Sequence, residues 1–429
     1  NQLAPSRMKF VLALAFLAIC AAVDHDAERA RKIEEINSTP GILWKAGVNP
    51  RFAGLPVGAS KDLCGVKPGG KARLRALVDA GKIGFVSKRE NLVIPTSFDS
   101  EEHWPKCAKV IGDIRDQSNC GCCWAFGGAE AASDRLCIAT DGNVSVALSA
   151  QETCFCAQQD GCDGGQLETA WDYIQSQGLS TGGQNNHTGP FADLGLCTDF
   201  SLPHCHHHGP QGFDPYPAEG KPGCPAVTQS PQCPTHCDNS SKAPYNDFAK
   251  YRYSFTGQVQ TFDSDADTIA AAIMAHGPVE AAFDVYSDFE NYVSGIYHAT
   301  STEQLGGHAI KIVGWGEENG VKYWKVANSW NPYWGEKGYF RILRGTDECG
   351  IEDECVASEG DTKWVGPGVT PPGPPTPPTP GICDEQESEV KCDETSEDGT
   401  RCTWCFLRAI GVGICQKSST CSQVTDFVN

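Results

Sequence analysis

The chain has 429 residues, with 34 Lys and Arg against 54 Asp and Glu, for a formal net charge of −20. So acidic a molecule repels nucleic acid and anionic membrane faces, which excludes both as expected partners, while its length allows a well-buried domain with smaller appendages. Its 23 cysteines are too many to leave free and point to an oxidising compartment, where bridges persist.

Arg7 and Lys9 precede an apolar run from Phe10 to Ala18, and the small residues Cys20-Ala21-Ala22 stand before a polar stretch. That order reads as a secretory signal over residues 1–23, with Met8 as the native start. It is too short for a membrane anchor, and no later apolar run approaches the ~20 residues of a span. Sequons at Asn37, Asn143, Asn186 and Asn239 fit the same route, to a secreted, lysosomal or vacuolar destination.

Asp26–Asn37 reads as a charged helix. The Gly/Pro-punctuated stretch after it, to residue 93, contains Trp44-Lys45-Ala46-Gly47 and an isolated Cys64. It has too little apolar periodicity for a core of its own, so 24–93 is either a linker or a propeptide that folds against its neighbour. From Ile94 the pattern becomes denser. Cys123–Ile138 reads as a helix. Leu167, Ala170, Trp171 and Ile174 share one helical face that Gly178 ends, and a third helix runs from Ser264 or Asp265 to Gly277-Pro278. Residues 197–257, rich in Pro, Gly, Cys and His, read as long stapled loops. Strands follow at Val279–Val285, His308–Trp315, Lys322–Ala327 and Gly338–Leu343. Helices first and strands later imply an α+β domain over 94–365, in two halves that meet at a cleft. Residues 366–381 form a Pro-rich linker. The tail, 382–429, carries six cysteines and reads as a disulfide-stapled module of unknown partner, with 15 possible connectivities.

The stretch Gln117-Ser118-Asn119-Cys120-Gly121-Cys122-Cys123-Trp124 carries the chemistry. A cysteine in the first turn of a helix feels the positive end of the helix dipole, which favours thiolate. Nucleophilic catalysis needs a base beside it, and Gly306-Gly307-His308 supplies an imidazole at the head of a strand. Asn328-Ser329-Trp330 supplies an amide to hold that ring, and Gln117 a donor for an oxyanion.

This stretch resembles the active-site text of the papain family of cysteine peptidases, Gln-x-x-Cys-Gly-Ser-Cys-Trp. The resemblance implies a papain-like two-domain fold, with a helical half and a β-barrel-like half, made as a zymogen. It makes Cys123 the nucleophile, His308 the general acid/base, Asn328 its orienter, Gln117 the oxyanion donor, Trp330 a shield, and Gly164 and Gly165 the edge that binds extended substrate. The family's thiolate–imidazolium pair, with a thiol pKa of roughly 3–4, is a known case of the general rule.

The match is closest to the cathepsin B-like branch, through Ile94-Pro95-Thr96-Ser97-Phe98-Asp99, Trp104-Pro105-Lys106-Cys107 and Cys349-Gly350-Ile351-Glu352 among others. It implies cleavage near Val93–Ile94 and an occluding loop at about 205–224. In that loop His207 and His208, rather than His206, would bind a substrate's terminal carboxylate. Asp116 would pair with His207, and Lys221 with Asp347. A metal-binding tract is the other reading of three adjacent histidines, and the loop is longer than the family's usual one. Glu354 would be the acid of the second substrate pocket; an ordinary surface carboxylate is its alternative. The implied bridges are 107–137, 120–162, 154–233, 197–237 and 205–224, and the spare Cys122 and Cys156 are expected to pair with each other. Cys349 and Cys355 would then join or stay free.

The expected activity is dipeptidyl carboxypeptidase plus endopeptidase on peptide and protein substrates, inhibited by its own propeptide, with no cofactor and no metal. An endopeptidase with a non-closing loop, or a silent disulfide-rich binding protein, are the alternatives.

Overall fold

The computed structural model describes residues 24–89, 92–204, 230–255 and 257–358, and four short strands beyond them. The signal sequence, His206, His207, His208, Lys221, the 205–224 bridge, the linker, Cys383, Cys392 and Cys421 lie outside the described residues, and the other tail cysteines are described in backbone only.

The leading segment holds α1 (His25–Ser38), β1 (Trp44–Ala46), α2 (Gly70–Asp79) and β2 (Gly84–Val86). Asp24 caps α1, its carboxylate accepting from the Ala27 N–H. The helix is polar on most sides and is held by Arg29, buried, which donates to Glu290 at 2.7 Å and Asn291 at 2.8 Å. Trp44, Phe52, Leu63 and Leu74 are buried in the same cluster as Trp330, Phe289 and Trp171. The segment thus has no core of its own, and its few apolar side chains complete the core of the rest.

The body of the molecule begins with β3 (Phe98–Asp99), α3 (Ser100–His103) and α4 (Ala108–Ile111). The central helix α5 (Cys123–Ala139) is buried from Cys123 to Cys137, because Gly127, Gly128 and four alanines let its neighbours approach from every side. Those neighbours are α6 (Ala150–Cys156), α7 (Leu167–Gln177) and the long strand β9 (Gln304–Glu318). Short strands β4 (Leu179–Ser180) and β5 (Arg252–Phe255) pair beside α7. The remaining elements are β6 (Val259–Phe262), α8 (Ala266–His276), β7 (Val279–Tyr286), β8 (Tyr292–Tyr297), β10 (Val321–Ala327), β11 (Tyr339–Leu343) and β12 (Glu354–Ser358). The main sheet runs β1-β8-β11-β10-β9-β7-β12-β6-β2, with β3 added on β9. The leading segment therefore supplies both end strands of that order.

The helices match their sequence signals: α7 stops at Gly178 (φ +71°) and α8 starts at its Asp265 cap. The stretch 197–257 is not structureless throughout, since β5 closes it. Three implied bridges form: Cys107–Cys137, Cys120–Cys162 and Cys197–Cys237. The implied 154–233 bridge does not. Cys156, not Cys154, joins Cys233. Residues two apart on a helix project about 200° apart, so Cys154 turns into the core while the half-buried Cys156 faces the 230–237 loop. The expected Cys122–Cys156 bridge is thereby excluded; Cys122, Cys154, Cys349 and Cys355 are free thiols.

Candidate active site

Cys123 opens α5, and His308 lies on β9, the strand packed against it. Asn328 follows the end of β10, the next strand over. Cys123 and His308 are both 0% exposed. His308 Nε2 lies 2.8 Å from Asn328 Oδ1, and the Trp330 ring covers the imidazole at 4.9 Å between centroids. Gln117 donates from Nε2 to the carbonyls of Cys120 at 2.8 Å and Leu63 at 3.0 Å, and its Oε1 accepts from Ser329 at 2.7 Å. The structure brings Cys123, His308, Asn328, Gln117 and Trp330 together.

The leading segment fills the space between them. Leu63 O sits 3.0 Å from Gln117 Nε2 and 3.2 Å from His308 Nδ1. Gly65 donates its N–H to Cys123 Sγ at 3.2 Å. Beyond it the chain pairs with both walls of the cleft. Gly165 donates to Gly65 O at 2.8 Å, Lys67 to Gly165 O at 3.0 Å, and Val66 to Gly307 O at 2.9 Å. Two glycines make this close approach possible. A Cβ on Gly164 would overlap the Gly65 carbonyl oxygen, and one on Gly65 would overlap the Gly121 carbonyl.

Burial in the covered site shifts both partners. Burial pushes the Cys123 thiol up to about 12, against the N–H groups of Ala309, Gly65 and Trp124 that favour thiolate. Burial likewise drives His308 down to about 4, although Asn328 and the Leu63 carbonyl both favour the charged ring. The covered pair is therefore neutral thiol and neutral imidazole, not the ion pair the resemblance implies. The helix dipole is present but loses to desolvation.

Glu354 is half-buried, its carboxyl held above the ordinary range by burial, against a favourable Lys71 N–H. It lines a cavity of about 450 Å³ with Val66, Ala282 and Gly307. Gly70 of the segment lies so close that a Cβ there would overlap its carboxylate.

The partner expected for Asp116, His207, lies outside the described residues. The partners of Asp116 include Arg51 of the leading segment at 3.1 Å, the Asn331 amide at 3.1 Å and the Ser118 N–H at 2.7 Å, with His204 Nδ1 at 4.0 Å. Burial opposes the charge, but Arg51 and His204 outweigh it and hold the carboxyl below its ordinary value. Asp347 accepts from the Glu352 N–H at 2.8 Å. Sequence reasoning missed Arg51, His204, Ser329 and the Leu63 carbonyl. Arg51 carries no local signal, whereas Cys64-Gly65 beside Leu63 is visible as a motif.

A family model described as papain family cysteine protease matches residues 94–359. The chain belongs to that family, and it is a cysteine-type peptidase with the papain-like fold. Its group within the family follows from its relatives. A cathepsin B-like cysteine proteinase of Schistosoma japonicum is 42% identical over 76% of this chain and 89% of the relative. Cathepsin B-like cysteine proteinase 6 of Caenorhabditis elegans is 41% identical, over 73% of this chain and 79% of the relative. Among solved structures, procathepsin B S9 of Trypanosoma congolense superposes with a TM-score of 0.59 at 31% identity, covering 76% of this chain and 96% of that one. This chain is cathepsin B-like, and the neighbour is a proenzyme. Among the described residues no helix is long and apolar enough to cross a membrane.

Proposed function

We propose that Cys123 is the nucleophile of a peptidase that releases dipeptides from free C-termini and also cuts internally, held latent by residues 24–93 as a propeptide. The observation that supports this best is the Leu63 carbonyl, which takes up the Gln117 Nε2 donor and lies on His308 Nδ1, so that neither group is open to a substrate. Cys123 Sγ accepts from the Gly65 N–H, so the segment occupies the sulfur's open side with a hydrogen-bond donor.

With the segment gone, the sulfur attacks the scissile carbonyl as a thiolate, and the oxyanion is held by Gln117 Nε2 and the Cys123 N–H. His308 passes its proton to the leaving amine, then takes one from the water that cleaves the thioester. Asn328 holds the ring in register and Trp330 keeps water from that contact. Extended substrate lies along Gly164 and Gly165, and Glu354 admits Arg to the second pocket. His207 and His208, cationic at mildly acidic pH, bind the terminal carboxylate and count off two residues. The likeness to cathepsin B-like relatives supports this last step.

Digestion of paired free-acid and C-terminally amidated peptides by the matured protein tests it, with products read by mass. Dipeptides should leave the free acid much faster than the amide at pH 5, and H207A/H208A should abolish the difference. Equal trimming of both peptides contradicts the carboxylate reading.

A further inference from the structure

Behind the nucleophile lies a cluster of sulfur that the peptidase chemistry does not use. The Sγ atoms of Cys120, Cys122 and Cys154 lie within 4.8 Å of one another, all buried. Cys154 Sγ is 3.9 Å from Cys120 Sγ and no more than 4.8 Å from Cys122 Sγ. Cys120 is already bonded to Cys162, and Cys156, on the same helix as Cys154, to Cys233. Two free thiols thus sit side by side, between two bridges that show oxidation has reached both sides of them.

A metal does not suit the cluster. Three thiolates would be needed, and the Cys120 sulfur is held in a disulfide, leaving two ligands.

We propose that Cys122 and Cys154 close a further disulfide, made while α6 seats on α5. The oxidant is a disulfide of the secretory-route type, either a low-molecular-weight disulfide or the disulfide of a protein oxidant. The Cys122 thiolate attacks one of its sulfurs, forming a mixed disulfide and releasing one thiol. The Cys154 thiolate then attacks Cys122 Sγ, forming the new bond and releasing the second thiol. Two thiols of the chain are oxidised, one external disulfide is reduced, and both protons leave on the released thiols. The bond needs the two sulfurs, within 4.8 Å of each other, to close to about 2.05 Å. It ties the residue that caps α5, directly before Cys123, to α6. It also removes the thiol best placed to attack Cys120–Cys162, an exchange that would release Cys162 beside Gly164.

The test counts thiols in the secreted full-length protein carrying C123A, alkylated in denaturant without reductant. If the bridge exists, C122S and C154S each expose the orphaned partner, and the count rises by one. The double variant C122S/C154S leaves the count unchanged. If both thiols are free, each single variant lowers the count by one and the double by two, which overturns the proposal. A metal site, or a Cys120–Cys154 bridge with Cys122 free, also lowers the count in C122S and overturns it. The two single variants report the same sign independently, so failure of one to be secreted leaves the other decisive.

Discussion

Burial raises the Cys123 thiol to about 12 and lowers His308 to about 4, so the covered pair carries its one proton on sulfur. Uncovered, a thiolate–imidazolium pair carries one proton on the ring, so uncovering moves a proton within the site and takes up none from solvent. The Asp116 carboxyl adds no dependence in the working range either. Its value is depressed, so the Arg51 contact is intact above the ordinary ~3.8 and is lost only as pH falls through a lower one. A peptide of residues 24–89 should therefore inhibit the matured enzyme with a constant that changes less than about threefold between about pH 4.5 and 7. A weakening of about 10-fold or more at the lower pH would show that His308 gains a proton that Cys123 does not give up. Gln117 makes its own prediction. Q117A should lower kcat by roughly 10²–10³ with little change in KM if its amide serves the oxyanion; unchanged turnover in steady-state assays would exclude it.

At the scale of elements, the segment is held by backbone pairing, and this is where it is most fragile. Gly65 passes so close to Gly121 that a methyl group has no room. G65A should leave the fold of the body intact but dislodge the strand, giving precursor that hydrolyses peptide before any cleavage. Latent G65A precursor in a fluorogenic assay would show that the close approach is not what holds it. The same backbone pairing explains what the sequence could and could not tell. α5, α7 and α8 are legible because each carries its own period and stop signal. β1, β2 and β12 have three to five residues and exist through partners far away in the chain, β8, β6 and β7. No local pattern marks them. The Cys154–Cys156 exchange has a similar origin, because the resemblance implies Cys154 as the partner of Cys233 and the helix phase turns Cys156 to it instead.

For the whole molecule, the proposed latency comes from a cover that lies on Cys123, Gln117 and His308 and leaves them assembled. The residues from Gln117 to Asn328 were legible because the chemistry needs those side chains in that order. Arg51 and the Leu63 carbonyl were not, since one is an arginine among many and the other is backbone. The most direct measurement is the pH dependence of Cys123 alkylation by iodoacetamide, in precursor and matured protein, with the modified residue found by peptide mass. In the precursor, where the thiol titrates at about 12, Cys123 should stay unlabelled from pH 5 to 8 with its cover in place. Once residues 24–93 are gone it should label readily at pH 5, and hydrolysis should fall in step with labelling. Equal labelling of Cys123 in both forms, or hydrolysis that survives its full modification, would contradict the account.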